Sequence, residues 1–468
     1  MNNQISDKSN RLKRQYGFFV TICIVVGFVV GTGIFWQPGR VLYQAGSLGQ
    51  GVLAWLIGGI TIASCVYMFS ICAARYEKVH GMVDYAEEIL GRRYGYICGW
   101  FFFVMYQTAG YAIIAYISAS FTAALAGHDN TTNSAFVFFM TAFYMVAVFV
   151  LNFITPRLAM KLNVSTVIIR LIPLIAMATI GLIIGIYALG SATPYAHIYS
   201  VANGTVAADI GQGSFFGAVF ATAFAYNGWQ AAVAFNSEVV RSKKTFPLAL
   251  LLGFLIVVII YVLYFIGIVL NSDPTLLIAD NQLGTRAAFA AVFGARAQYV
   301  VMVFVIISGL GILNMCCMGM SRGLYALARR GMGPAPLRMV QLDAHTGAPI
   351  NSMILCFGLS FLWLMVIYGN QHGWFFVNGQ AFSFVLPDFY NMLFFALLIP
   401  MFAGFVVKNY NNQSIHISNR IFAPILAIFG AGLMISTLVL ASPTHAVVYT
   451  LVFIILSLLG TFFYKRRA

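Results

Sequence analysis

The sequence carries very little charge for its length. Of its 468 residues, only 8% are Asp, Glu, Lys or Arg, whereas 61% are hydrophobic. Soluble globular proteins contain about 25% charged residues. The composition therefore excludes a soluble protein and predicts a chain that crosses a membrane many times. No polar stretch between the apolar runs is long enough to fold as a separate soluble domain.

Groups that carry enzyme or metal chemistry are missing from the apolar runs. The seven histidines lie in loops or at the ends of these runs, and no carboxylate pair or nucleophile with a base lies within one. The seven cysteines lack the spacing of metal ligands, so we interpret them as small buried residues. A ring of repeated filter residues, as in a channel, is also not evident. The sequence thus predicts no enzyme, no metal site and no cofactor.

Twelve apolar runs are long enough to cross a bilayer, which takes about 20 helical residues. Most of the 26 lysines and arginines lie in the loops on one side and in the two tails, residues 1–17 and 465–468. By the positive-inside rule, both tails are cytoplasmic in a cell (inner or plasma) membrane. The net charge of +14 therefore reflects topology and indicates no nucleic-acid partner. The predicted spans are 18–43, 49–73, 95–126, 134–154, 163–189, 213–235, 246–270, 298–327, 350–369, 386–407, 420–441 and 445–464.

Two of these runs are interrupted near their centres. The first contains Gly31, Thr32 and Gly33, and the sixth contains Asn227 and Gly228. Open backbone at membrane depth is tolerated only where it is buried in protein or lines a cavity, although close packing of small residues is an alternative explanation. Breaks at corresponding positions of two halves indicate a transporter site between inverted repeats. The predicted segments are two five-span repeats, 18–189 and 213–407, and a final pair of spans, 420–464.

A pair of broken helices offers partners to both ends of an amino acid. The amides of residues 31–33 begin a new half-helix, whose positive dipole end suits a carboxylate. Unwound carbonyls near Val29 and at residues 224–227 suit an ammonium group. The breaks therefore predict an amino acid as the substrate.

Three motifs resemble the amino acid–polyamine–organocation superfamily. Gly-Thr-Gly-Ile-Phe at residues 31–35 is similar to the opening of its permeases. Phe-Ala-Tyr-Asn-Gly-Trp at 224–229, followed by Glu238 and Pro247, is similar to the sixth span of its L-type amino acid transporter branch, which includes bacterial serine/threonine exchangers. Residues 321–334 resemble the eighth span and the following loop. The resemblance implies an all-α integral membrane protein with the LeuT-like fold: a 5+5 inverted repeat plus two C-terminal helices, working by alternating access.

The resemblance also implies roles for individual residues. It assigns the substrate carboxylate to Gly31, Thr32 and Gly33, and the substrate amine to the carbonyls of Val29 and Phe224 together with Asn227. The ring of Phe224 is expected to act as the outer gate. The other expected pocket or gate residues are Tyr106, Gln107, Thr108, Tyr226 and Trp229.

Three of the departures from the family pattern concern the substrate site or coupling. Asn227 stands where the branch usually has Asp or Gly, Arg170 where it has Lys, and Asp388 where it is apolar. Arg170 either extends to the cytoplasm or replaces the cation of sodium-coupled relatives, donating to the carbonyls of Gly27 or Phe28 and to Ser308. Asp388 is either a first-turn helix residue or a proton-coupling group.

The predicted pocket contains no formal charge, and a buried charge without a partner is costly. We therefore expect neutral L-amino acids as substrates. Sodium-independent exchange is the expected mode, because a fixed positive charge at Arg170 takes the place of sodium. Proton-coupled symport stays open as the alternative. Because the outer loop 127–133 has no cysteine that would link a partner, we expect the chain to function as a monomer in the lipid bilayer.

Overall fold

The computed structural model describes residues 16–76, 81–128, 134–190, 213–233, 239–343, 345–377 and 379–464. Eleven helices in these ranges are long and apolar enough to cross a membrane. The sixth predicted crossing is present as two shorter pieces on either side of a break. The predicted all-α membrane fold is therefore confirmed. Most of the predicted N-terminal tail, and all of the C-terminal tail at 465–468, lie outside the described residues.

We number the spans in chain order. Span 1 comprises Phe18–Val29 and Gly33–Trp36 and is followed by the helix Pro38–Ala45; span 2 is Leu48–Arg75; span 3 comprises Arg92–Trp100, the π-helical segment Phe101–Tyr106 and Gln107–Leu125; span 4 is Ser134–Ile154; span 5 comprises Pro156–Ala176, the π-helical segment Met177–Gly181 and Leu182–Gly190. A short helix, Met82–Leu90, lies between spans 2 and 3.

The second half follows the same plan. Span 6 comprises Phe215–Ala225 and Trp229–Ala232; span 7 is Ser242–Leu270; span 8 is Ala297–Arg329; span 9 is Ile350–Gln371; span 10 is Leu386–Asn409; span 11 comprises the π-helical segment Ser418–Phe422 and Ala423–Ala441; span 12 is Pro443–Thr461. The connections contain the helices Pro274–Ala279, Asn281–Phe293 and Pro336–Met339, and the two-stranded hairpin of Phe376–Val377 with Gln380–Ala381.

Span 5 differs most from its predicted bounds. It begins at Pro156 rather than 163, because Arg157 and Lys161 interrupt the apolar run in the sequence without ending the helix. Span 1 differs in another way, since the predicted run 18–43 is divided into three helices. The other described spans begin and end within a few residues of the prediction.

We call the side at which span 1 begins the inner side. Tyr16, just before span 1, accepts a hydrogen bond from Val240, just before span 7. The carbonyl of Phe463, just after span 12, accepts one from Gly333, just after span 8, at 3.1 Å. Both ends of the described chain therefore lie on the inner side, beside the connections to which they are bonded.

Small residues bring spans 1, 5 and 7 close together, as in other membrane helix bundles. A Cβ added at Gly253 of span 7 would lie 3.0 Å from the Cβ of Val25 in span 1, and one added at Gly267 would lie 2.5 Å from the carbonyl oxygen of Met177 in span 5. The buried ring of Tyr261, also in span 7, packs against Trp55 of span 2. This packing places spans 5 and 7 against span 1, which contains the first break.

Candidate substrate site

The two predicted breaks lie backbone to backbone. A Cβ added at Gly33 would lie 2.9 Å from the Cα of Ala225, and one added at Gly228 would overlap the carbonyl oxygen of Phe28. Gly228 also has a φ of 109°, in the left-handed region that favours glycine. The close approach therefore requires glycine at both positions, and it joins the centres of spans 1 and 6.

A cavity of about 400 Å³ lies beside the two breaks and extends from them toward the inner side. This volume is within the range of small-molecule sites. Among its wall residues on the inner side are Met82, Phe103 and Arg322. Eight of the predicted site residues belong to the wall: Val29, Gly31, Thr32, Gly33, Tyr106, Gln107, Phe224 and Asn227.

Three other predicted pocket or gate residues, Thr108, Tyr226 and Trp229, lie outside this wall. The hydroxyl of Thr108 donates to the carbonyl of Val104 and accepts from the indole of Trp363. The hydroxyl of Tyr226 donates to the carbonyl of Trp55 at 3.0 Å. Trp229 packs against the rings of Phe69 and Phe394. Successive helical residues point about 100° apart, so these three side chains face the surrounding helices although residues next to them line the cavity.

The first break leaves backbone donors near the cavity. Among the described residues, the amides of Thr32 and Gly33 have no hydrogen-bond acceptor, which is the state expected of a half-helix start before an anion binds. The Val29 carbonyl already accepts a hydrogen bond from Tyr261 at 3.1 Å, leaving one lone pair for another donor. The same hydroxyl lies beside the Gly31 amide. Sequence reasoning did not identify this tyrosine as a competitor at the break.

The second break is held by side-chain amides, and sequence reasoning missed two of them, those of Asn391 and Gln230. The side-chain amide nitrogen of Asn227 donates to the side-chain oxygen of Asn391 in span 10 at 2.8 Å. The side-chain oxygen of Asn227 is therefore available to a ligand. Gln230 donates to the hydroxyl of Tyr106 at 2.5 Å and accepts from the amide of Gly228 at 3.1 Å. Asn391 and Gln230 are polar residues inside apolar runs, and this feature of the sequence could have identified them. By contrast, Gln107 was named from the sequence, and it lies in the cavity wall.

Arg170 is completely buried and does not extend to the inner surface. Its Nη1 donates to the carbonyls of Gly27 and Val30, at 3.0 and 3.2 Å, and its Nη2 donates to the Thr166 hydroxyl at 3.0 Å. The predicted bond to a carbonyl before the break is present, whereas the predicted bond to Ser308 is not, and the Ser308 hydroxyl has no partner among the described residues. The guanidinium therefore ties span 5 to the last turn before the break.

Asp388 lies in the first turn of span 10, as one of the two sequence interpretations expected. Its carboxylate forms a bidentate ion pair with Arg40, at 3.0 and 2.5 Å. Arg40 belongs to the helix that continues span 1 on the outer side. The pair therefore connects spans 1 and 10 at the outer end of the site, on the opposite side of the breaks from the cavity mouth.

A helix bundle with two broken spans facing a small-molecule cavity at their junction defines a secondary active transporter. Comparison with known proteins gives the family. The chain belongs to the amino acid permease family, whose sequence model matches residues 16–463. The resemblance seen in the motifs is thereby confirmed, and with it the LeuT-like fold of twelve helices. The chain is a membrane-spanning amino acid permease and not an enzyme.

Individual relatives are distant but match most of the chain. The chain is 26% identical to the serine/threonine exchanger SteT of Bacillus subtilis (strain 168), over 84% of each protein. It is 24% identical to the b(0,+)-type amino acid transporter 1 of Mus musculus, over 98% of this chain and 89% of the relative. It is also 24% identical to the mouse large neutral amino acids transporter small subunit 2, over 72% and 62%, respectively.

Proposed function

We propose that this permease exchanges neutral L-amino acids across the cell membrane by alternating access and without sodium. The observation that carries the proposal is the wall around the two breaks. It consists of backbone groups, aromatic rings and neutral amides, and its one charged residue among those described, Arg322, lies toward the inner mouth. A charged substrate side chain would lack a partner near the breaks, which is costly.

In this proposal, spans 1 and 6 each bind one end of the amino acid. The carboxylate accepts from the amides of Thr32 and Gly33, with Gly31 leaving room for its approach. The ammonium group donates to the Phe224 carbonyl, the free lone pair of Val29 and the Asn227 side-chain oxygen. The ring of Phe224 covers the substrate on the outer side. The names of the relatives, an exchanger of serine and threonine and a transporter of large neutral amino acids, agree with a neutral substrate.

Two charged residues support sodium independence and outer closure. Arg170 supplies a permanent positive charge where it bridges spans 1 and 5, and an arginine does not release its proton at physiological pH. Asp388 is engaged with Arg40, so we assign it to closing the outer end rather than to carrying a proton. We further propose that the chain functions as a monomer with both termini in the cytoplasm.

The test is uptake of labelled serine, alanine and leucine by proteoliposomes, with and without internal amino acid. We expect uptake only with internal amino acid, and equal rates in sodium and in choline. Arginine, lysine and glutamate should compete poorly. Sodium dependence, or concentrative uptake into empty liposomes driven by a proton gradient, would contradict the proposal and favour symport.

A further inference from the structure

Arg322 differs from the other residues of the cavity wall in its charge. It is exposed, and it is the one charged residue among the described residues of that wall. It follows Ile312 along span 8 by about 15 Å, at about 1.5 Å of rise per residue. The side chain of Ile312 lies against Gly31, because a Cβ added at this glycine would overlap it. An amino acid bound at the breaks is therefore too far away to contact Arg322.

Arg322 also belongs to a second cavity of about 100 Å³, whose wall includes Asn152, Ser321 and Thr346. The side chain of Asn152 is 4% exposed. Its amide nitrogen donates to the carbonyl of Val148 and to Asn314, whereas its oxygen has no partner among the described residues. A buried acceptor without a donor is costly. A guanidinium and an unused acceptor in one wall complement the carboxylate and ammonium groups of an amino acid.

We propose that Arg322 and this small cavity form a second amino-acid subsite at the inner mouth. In this subsite, Arg322 binds the substrate carboxylate and the Asn152 oxygen accepts from the ammonium group. The subsite rests on the proposed function, because it holds the same substrates on their way to or from the breaks. The subsite raises the local concentration of cytoplasmic amino acid at the inner mouth. The KM for the outer amino acid should be unaffected.

An arginine near the inner end of a span is also what membrane topology alone produces. Arg329 provides the comparison that separates the two explanations. It lies in the last turn of the same helix, is exposed, and belongs to neither cavity wall. A purely topological role predicts similar consequences for both residues, whereas a substrate role predicts an effect of Arg322 alone.

The experiment measures the KM for the inner and the outer amino acid separately, in inside-out and right-side-out vesicles from expressing cells. We expect Arg322→Gln to raise the inner KM for serine about fivefold, which corresponds to one unit charge at about 4 Å in water. The outer KM should not change. Arg322→Lys should retain most of the affinity, and Arg329→Gln should resemble the wild type. High salt should raise the wild-type inner KM by screening Arg322.

An unchanged inner KM in Arg322→Gln, or an equal rise in Arg329→Gln, would overturn the proposal. If Arg322→Gln does not accumulate in the membrane, the salt dependence of the wild-type inner KM decides, since a salt-independent value contradicts the subsite. Failure of the proposed function itself gives a different result, because the wild type would then show no amino-acid exchange from either side.

Discussion

Replacing Asp388 with Asn should open the outer side of the transporter. The Asp388 carboxylate is largely buried, and both of its oxygens accept from the guanidinium of Arg40. Because Arg40 extends span 1 and Asp388 begins span 10, the outer ends of these spans separate only if the pair breaks. The substitution keeps the size of the side chain and removes its charge, so it acts on the ion pair with little change in packing.

The magnitude follows from the burial of the two partners. Removing one member of a fully buried ion pair costs about 3–5 kcal/mol. The Arg40 side chain is 31% exposed against 8% for Asp388, so water replaces part of what Arg40 loses, and we expect about 2 kcal/mol. Every 1.4 kcal/mol is about tenfold, so the ratio of outward-open to outward-closed protein should rise about 30-fold.

Thiol labelling measures this ratio. Ile114 lies in the cavity wall, buried in span 3, so Ile114→Cys in a background without native cysteines reports access from outside to a membrane-impermeant reagent. Asp388→Asn should accelerate labelling up to about 30-fold. The control is Asp280→Asn, because Asp280 caps the helix Asn281–Phe293 and Asn is an equally good cap. The double charge reversal, Arg40→Asp together with Asp388→Arg, should restore slow labelling.

The reasoning is refuted if Asp388→Asn labels as slowly as its parent. Equal acceleration by Asp280→Asn would also refute it, since the effect would then not come from the ion pair.

Three further predictions concern the site itself. Gly31→Val should abolish exchange, because the added side chain takes the room that the substrate carboxylate needs for its approach. The protein should still reach the membrane, since the added Cβ would overlap only the flexible end of the Ile312 side chain. Gly110→Ala, in a part of the wall with open space, is the control and should stay active. Arg170→Ala should reduce exchange at least tenfold and Arg170→Lys less, since the ammonium group makes fewer of the carbonyl bonds; wild-type rates in Arg170→Ala would contradict the bridging role. Gln107→Leu should lower the preference for serine over alanine about fivefold, by loss of roughly one hydrogen bond of about 1 kcal/mol, and a competition assay showing an unchanged ratio would exclude Gln107 as a specificity residue.

The sequence predicted the breaks well because their signal is local. Glycines within a run that is otherwise apolar are visible without knowledge of the fold. Gly33 and Gly228 proved to be positions at which the backbones of spans 1 and 6 lie in contact. The span boundaries were equally accessible, since lipid requires long apolar helices. Span 5 departed most from its predicted bounds, because it begins at Pro156 rather than at 163.

The direction in which each residue faces was not accessible from the sequence. Spans that are apolar all round carry no marked face, so nothing distinguished Tyr226, which packs against spans 2 and 7, from Asn227, which lies in the cavity wall. Partners distant in sequence were equally hidden. Asp388 was recognised as unusual, but its pairing with Arg40 depends on where the helix after span 1 meets span 10.

Arg170 gives a physical reason why exchange should be preferred to concentrative uptake. A ligand shifts a conformational equilibrium only through its different affinity for the two states. In a sodium symporter the cation arrives and leaves, so its presence distinguishes loaded from empty protein. Here the charge that bridges span 5 to the carbonyls of Gly27 and Val30 is covalently attached and always present. The amino acid is then the ligand that distinguishes loaded from empty protein, and return of the empty carrier should be the slow step of the cycle.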